Sequence, residues 1–228
     1  MTRLVLAAVV GGVLTVERRA FLQAGLSRPL VASALMGLCL GHLPAGLLVG
    51  APLELLFLGS ASLGAALPEH ETLAACAVSA ACAEAATTLG NLSLPAACLA
   101  LLTLLPLARV GRKVDALENR VQQRFADRAM QLVEQRQYRR ALRMNWRGLG
   151  FPFGSGVLTT ALGLAVGFGL AALVPRLPPR ATPALTTAFV FAAAVCAAAG
   201  VRGTRHPRGI ALALVSAAVT LGVVLWGH

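Results

Sequence analysis

Acidic side chains are scarce in this 228-residue chain, nine Asp and Glu against twenty Lys and Arg, and charged residues of both signs make up only 13%. Soluble domains carry roughly twice that share, about 25%. Aromatic residues are also few, at 5%, whereas 57% of the chain is hydrophobic. So little charge spread over so much apolar sequence excludes an ordinary soluble enzyme and indicates an integral membrane protein. The five cysteines, Cys39, Cys76, Cys82, Cys98 and Cys196, form no Cys-x-x-Cys pair and all lie in apolar stretches. They read as small buried hydrophobes rather than as a disulfide framework. His42, His70, His206 and His228 lack helical ligand spacing; Glu69, His70, Glu71 and His42 are the nearest approach to a metal set, and no metal or cofactor is expected. No internal repeat is visible. No acid, base and nucleophile stand together, so no catalytic residue is assigned.

What the chain does have is apolar runs separated by basic loops. The formal charge of +11 raises nucleic acid as a partner, but no recognition motif accompanies it. Basic residues clustered between apolar runs fit membrane topology instead, and no nucleic acid is expected. The first run, Leu4 to Leu14, reads as a short or tilted membrane helix whose charged flank, Glu17 to Arg19, folds back on the protein. A second run begins at Arg28-Pro29, where proline suits the first helical turn, and reaches Leu40. From Glu71 to Ala108 the chain has room for two passes of ~20 residues, with Gly90-Asn91 and Pro95 marking the break. Three further spans are expected at about Gly150 to Val174, Ala181 to Val201 and Gly209 to Trp226.

Between these halves lies a polar segment, Arg109 to Arg147, where eleven basic residues against four acidic ones leave +7. Val114, Leu117, Val121, Phe125, Leu132 and Val133 recur at helical spacing beneath the charges, which predicts two short amphipathic helices broken near Gln137-Tyr138. Asp115 and Glu118 near the start suit the helix dipole. The positive-inside rule places this connector on the cytoplasmic side, where it meets membrane lipid or a phosphorylated partner domain, and Arg202–Arg208 two spans later on the same side. The expected architecture is all-α, one membrane domain over 1–228 with about six to seven membrane segments, some broken or re-entrant. N-terminal spans fill 1–108, the connector 109–147 and C-terminal spans 148–228.

The organising stretch is Gly41 to Glu71, apolar yet interrupted by Gly41, Pro44, Gly46, Gly50, Pro52, Gly59, Gly64 and Pro68. In lipid, backbone groups freed by such breakers must be satisfied by protein or a hydrated cavity, as in the broken helices of secondary transporters. Glu54 sits in the middle. An intramembrane carboxylate costs about 2.5–3.5 kcal/mol on insertion scales, so it faces a cavity or a partner. Two readings stand beside each other, a ligand for substrate and a structural glutamate paired with Arg28 or a backbone donor. Ser60, Ser62 and Gln23 are further candidates for hydroxyl ligands; Arg28, Pro29, Gly50, Pro52, Gly59 and Gly64 shape the segment.

These residues resemble a known family. Arg28-Pro29-Leu30-Val31, Gly37-Leu38-Cys39-Leu40-Gly41, Gly46 through Leu55 with Gly50-Ala51-Pro52-Leu53-Glu54-Leu55, then Leu58-Gly59 and Gly64-Ala65, are similar in order and type to the IIC membrane subunit of mannose/fructose/sorbose-type phosphotransferase systems. Ala126-Asp127-Arg128-Ala129 through Arg140-Ala141 adds a weaker likeness in the connector. The resemblance implies a sugar-translocating subunit of a phosphoenolpyruvate-dependent phosphotransferase system in a bacterial plasma or inner membrane. It implies a IID membrane subunit and a cytoplasmic IIAB phosphocarrier as partners, a hexose-class sugar as substrate, and Glu54 as the leading sugar ligand. The chain departs from the family pattern at His42, at Ala51-Pro52, at Ser60 and Ser62, and at Leu22 and Gly25, with only Gln23 and Glu17 nearby. Those departures carry the alternative, a degenerate regulatory or scaffold component that keeps the fold without transport.

Overall fold

Helices with small side chains approach one another closely, and the chain uses this at its centre. In a computed structural model, residues 1–18, 23–58 and 69–204 are described. Among them are nine α-helices: α1 (Thr2–Glu17), α2 (Pro29–Leu40), α3 (Leu43–Phe57), α4 (Glu71–Leu89), α5 (Leu94–Leu104), α6 (Leu107–Glu134), α7 (Tyr138–Gly148), α8 (Gly150–Leu173) and α9 (Ala181–Thr204). A single 3-10 turn, Val174–Arg176, follows α8, and the described residues contain no strand. The Gly209 to Trp226 span lies outside them.

Helix α4 is the hub. From Thr72 to Ala86 every residue is buried, and the run is almost entirely Ala, Cys, Ser, Thr and Val. It packs against α2, α3, α5 and α8. Lipid offers apolar side chains as good an environment as protein does, so association rests on close van der Waals packing and hydrogen bonds rather than on the hydrophobic effect. Gly163 and Gly167 of α8 lie directly on the backbone of Ala77 and Ala81 of α4, leaving no space for a Cβ. The matched four-residue spacing makes this a small-xxx-small contact on both helices. Two turns earlier in α8, Gly156 meets Gly11 and Thr15 of α1 in the same way.

Helices α2 and α3 form a hairpin. At 1.5 Å per residue their 12 and 15 residues reach about 18 and 22 Å, short of a ~30 Å hydrocarbon core. The reversal falls where the breakers begin: Gly41 adopts φ +83°, and the imidazole of His42 accepts the Ala45 N–H at 3.3 Å as the α3 N-cap. Thr72 Oγ1 donates to the Ser27 carbonyl at the base of this hairpin, and Thr87 Oγ1 to the Leu40 carbonyl near its tip. The pair therefore lies along nearly the whole of α4. The expected break at Pro52 does not occur. Helix α3 runs through Gly46, Gly50 and Pro52 without interruption, because a proline removes one N–H, and the buried packing of Leu53 and Phe57 holds the helix across that gap.

Among the described residues, four stretches are long and apolar enough to cross a membrane: Glu71–Leu89, Leu94–Glu134, Tyr138–Arg176 and Ala181–Val201. In the second, the apolar part is α5, and a turn at Leu105-Pro106 separates it from α6. The connector does contain two helices meeting near Gln137, but α6 begins at Leu107 and has 28 residues, longer than expected. That early start moves Asp115 and Glu118 beyond the first turn, where a helix dipole acts. Both are buried instead, on a stripe with Ala108 and Gly111.

Candidate substrate site

The ends of four elements meet on one side of the bundle: the end of α1, the loop 23–28, the last turns of α3 and the start of α4. Glu54 sits in those last turns. Its Oε1 accepts from Arg28 Nη1 at 3.2 Å, and its Oε2 accepts the Leu30 N–H at 3.2 Å. Leu30 is the second residue of α2, so its amide is one of the donors that a helix start leaves without an internal partner. The carboxylate thus caps α2 from across the hairpin, where negative charge is favoured. The Glu54 side chain retains 19% exposure and Arg28 63%, so the pair faces outward from the packed helices.

The loop that presents Arg28 is held from behind by Glu17. Its carboxylate accepts the N–H groups of Gly25 at 2.9 Å, Leu26 at 3.3 Å and Ser27 at 2.9 Å. Gly25 adopts φ +83° and Gln23 φ +48°, a left-handed conformation that costs a non-glycine residue roughly 1–2 kcal/mol. Gln23 is exposed at the start of this fixed turn. Glu71, the first residue of α4, lies within electrostatic reach of Arg18, Arg28 and Glu54.

A second polar cluster supports the first from below. Arg18 Nη1 donates to both oxygens of Asp115, at 3.0 and 3.3 Å, and Arg18 Nη2 donates to the Glu69 carbonyl at 3.2 Å. His70 Nε2 stands 3.5 Å from Asp115 Oδ1, its Nδ1 accepts the Leu73 N–H, and its backbone N–H donates to the Ala108 carbonyl. The histidines His42 and His70 thus serve as helix caps. At the far end of α4, buried Glu84 accepts from Thr88 Oγ1 at 3.3 Å and lies 3.9 Å from Arg3, while its Oε2 has no hydrogen-bond partner.

Of the residues singled out from sequence, Glu54, Arg28 and the α2 start at Pro29 come together, and Gln23 lies five residues before Arg28 on the same loop. Gly50 lies against Ser33 and Leu30, which lets the hairpin close just above Glu54. Pro52 is buried on the opposite side of α3 from solvent. Ser60 and Ser62, with Gly59 and Gly64, lie outside the described residues. Sequence reasoning missed the roles of Glu17, Arg18, Glu71 and Asp115. For Glu17 and Arg18 the available signal was a cluster of charges at the end of an apolar run, which needs partners wherever it is buried.

A cavity of about 400 Å³ opens nearby between α3, α5 and α9, bounded by Leu53, Phe57, Leu101, Leu105 and Cys196, with Glu69 and Arg109 at its edge. Its walls are too apolar to recognise a polyhydroxylated ligand. The Arg28–Glu54 pair, by contrast, offers acceptor oxygens beside guanidinium N–H donors, and sugar hydroxyls both donate and accept.

A family model described as the sorbose-specific IIC component of the phosphotransferase system matches residues 1–202. No curated protein sequence matches the chain. Among solved structures, one described as a membrane protein superposes with a TM-score of 0.67 at 22% identity, covering 97% of this chain and 91% of that one. A structure of the mannose transporter ManYZ in complex with a microcin superposes with a TM-score of 0.60 at 20% identity, covering 97% and 90%. At such identities the likeness establishes the fold, an all-helical membrane-transporter architecture.

Proposed function

The chain belongs to the sorbose-specific IIC family of phosphotransferase-system components, and from that membership we propose that it carries a hexose-class sugar at the Arg28–Glu54 site, together with a IID membrane subunit and a cytoplasmic IIAB phosphocarrier. As a IIC component of the sorbose/mannose type it is a multi-pass membrane subunit of a sugar transporter. The observation that carries the site assignment is the geometry of Glu54. A carboxylate in an apolar hairpin is held at the bundle end by one guanidinium and one backbone amide, yet is left partly exposed. A purely structural carboxylate gains most when fully enclosed by its donors, whereas a ligand must keep a side open. Gln23, on a turn fixed by three N–H bonds to Glu17, supplies an amide that both donates and accepts. Arg28 orients Glu54 and contributes donors of its own.

The chain carries no phosphate acceptor in this reading. Phosphate reaches the sugar from the IIAB partner, and a IID subunit completes the pathway. The solved ManYZ structure is described as a mannose transporter, which agrees with a hexose substrate here.

The test is labelled-hexose uptake by Glu54→Gln with the partner subunits co-expressed. Glutamine keeps the volume and one acceptor but loses the charge, and charged hydrogen bonds are worth roughly 1.5–3 kcal/mol, so uptake is expected to fall by about tenfold or more while expression and subunit association stay normal. Normal uptake by a normally assembled variant overturns the ligand role. Loss of folded protein assigns Glu54 to capping α2 alone.

A further inference from the structure

Helix α7 has one face packed and one face that nothing in the described structure covers. Ala141 is buried on the inner side, where α7 lies along α6. On the outer side Tyr138, Leu142 and Trp146 recur every fourth residue and are 63%, 61% and 60% exposed. Arg139, Arg140, Arg143 and Arg147 flank them and are exposed as well. Around the helix start, Arg136, Arg139, Arg140 and Arg143 with Tyr138 line an open concavity of about 510 Å³. Helix α7 itself carries no acidic residue.

The position of α7 follows from α6. The buried stripe of α6 rests on the ends of other helices: Ala108 and Gly111 on His70 at the start of α4, and Asp115 on Arg18 at the end of α1. Helix α6 therefore begins against the bundle end where α1 finishes and α4 starts. Helix α7 packs beside it and ends at Gly148, two residues before α8 begins. That places the end of its exposed stripe, Trp146, four residues before the first residue of a helix long and apolar enough to span a membrane.

We propose that α7 lies in the headgroup layer, with Tyr138, Leu142 and Trp146 inserted at the edge of the acyl chains and Arg136, Arg139, Arg140 and Arg143 bound to the phosphates of anionic phospholipid. Three large apolar side chains at helical spacing, two of them the aromatic types enriched at membrane interfaces, are the mark of an in-plane helix. Arginine matches phosphate through a planar fork of donors, and juxtamembrane basic clusters gain from an anionic leaflet. A surface built to dock a phosphorylated protein domain needs the arginines but not the Tyr–Leu–Trp stripe. The inference is independent of which solute the substrate site takes.

The full chain, reconstituted in vesicles, tests it through Trp146 fluorescence in a Trp226→Phe background, because the sequence has two tryptophans. At equal low mole fraction, brominated phosphatidylglycerol is expected to quench Trp146 several-fold more than brominated phosphatidylcholine, and aqueous iodide to quench it weakly. Replacing Arg139, Arg140 and Arg143 together by glutamine, all exposed positions, is expected to equalise the two lipids while leaving quenching in place. Equal quenching by both lipids in the unreplaced protein overturns the anionic site. Strong iodide quenching with none from either lipid overturns insertion altogether and makes this face a docking surface for a phosphorylated protein.

Discussion

At the residue scale, buried charges are paired across long stretches of sequence. Asp115 is fully buried and Arg18 nearly so, 10% exposed, and the guanidinium meets both carboxylate oxygens. Removing one partner of such a pair strands the other, at about 3–5 kcal/mol, whereas removing both is close to neutral. Arg18→Met is therefore expected to lower the denaturation midpoint in detergent sharply, and Arg18→Met combined with Asp115→Leu to recover most of that loss. A single variant no less stable than the parent would show that the pair contributes nothing. The sequence displays Glu17, Arg18 and Arg19 as a charged flank that folds back, and it names Arg28 as a partner for Glu54. It could not single out Asp115, because in a connector already crowded with charges nothing local distinguishes a carboxylate that points inward.

At the element scale, packing of α4 against α8 depends on absent side chains. A Cβ at Gly163 would meet the Ala77 backbone, whereas one at Gly169 meets nothing within 4 Å. Gly163→Val is expected to destabilise the protein by about 1–3 kcal/mol, the usual cost of overpacking, and Gly169→Val by less than ~0.5 kcal/mol. Thermal unfolding followed by size-exclusion monodispersity separates the two, and equal midpoints would refute the contact. Helix limits were legible wherever breakers and apolar runs coincide: the break at Gly90 and Pro95, the start at Pro29, the reversal at Gly41. Pro52 was misleading because a proline marks a helix end only if no tertiary packing carries the helix past it. Glu54 was legible as a lone carboxylate in an apolar segment. Its bond to the Leu30 amide was not, since a cap supplied from another helix leaves no mark in local sequence.

At the scale of the whole molecule, the connector and the loop after α8 mark opposite sides. Helix α8 leaves the connector and α9 returns toward it, so the loop around Arg180 lies on the other face. With the basic connector inside, an impermeant thiol reagent added to intact cells is expected to label Arg180→Cys and not Arg124→Cys, each in a cysteine-free background. The reverse pattern inverts the topology. The Arg18–Asp115 pair also sets an order of events during synthesis. The two residues are 97 positions apart, and at 5–20 residues per second the ribosome needs roughly 5–20 seconds to deliver the second after the first. Throughout that interval the nascent chain holds an arginine at the end of its first helix without the buried carboxylate it finally meets. Whatever shelters that charge in the meantime, lipid phosphate or an insertion factor, has to release it when α6 arrives, so maturation of the first helix waits on the sixth.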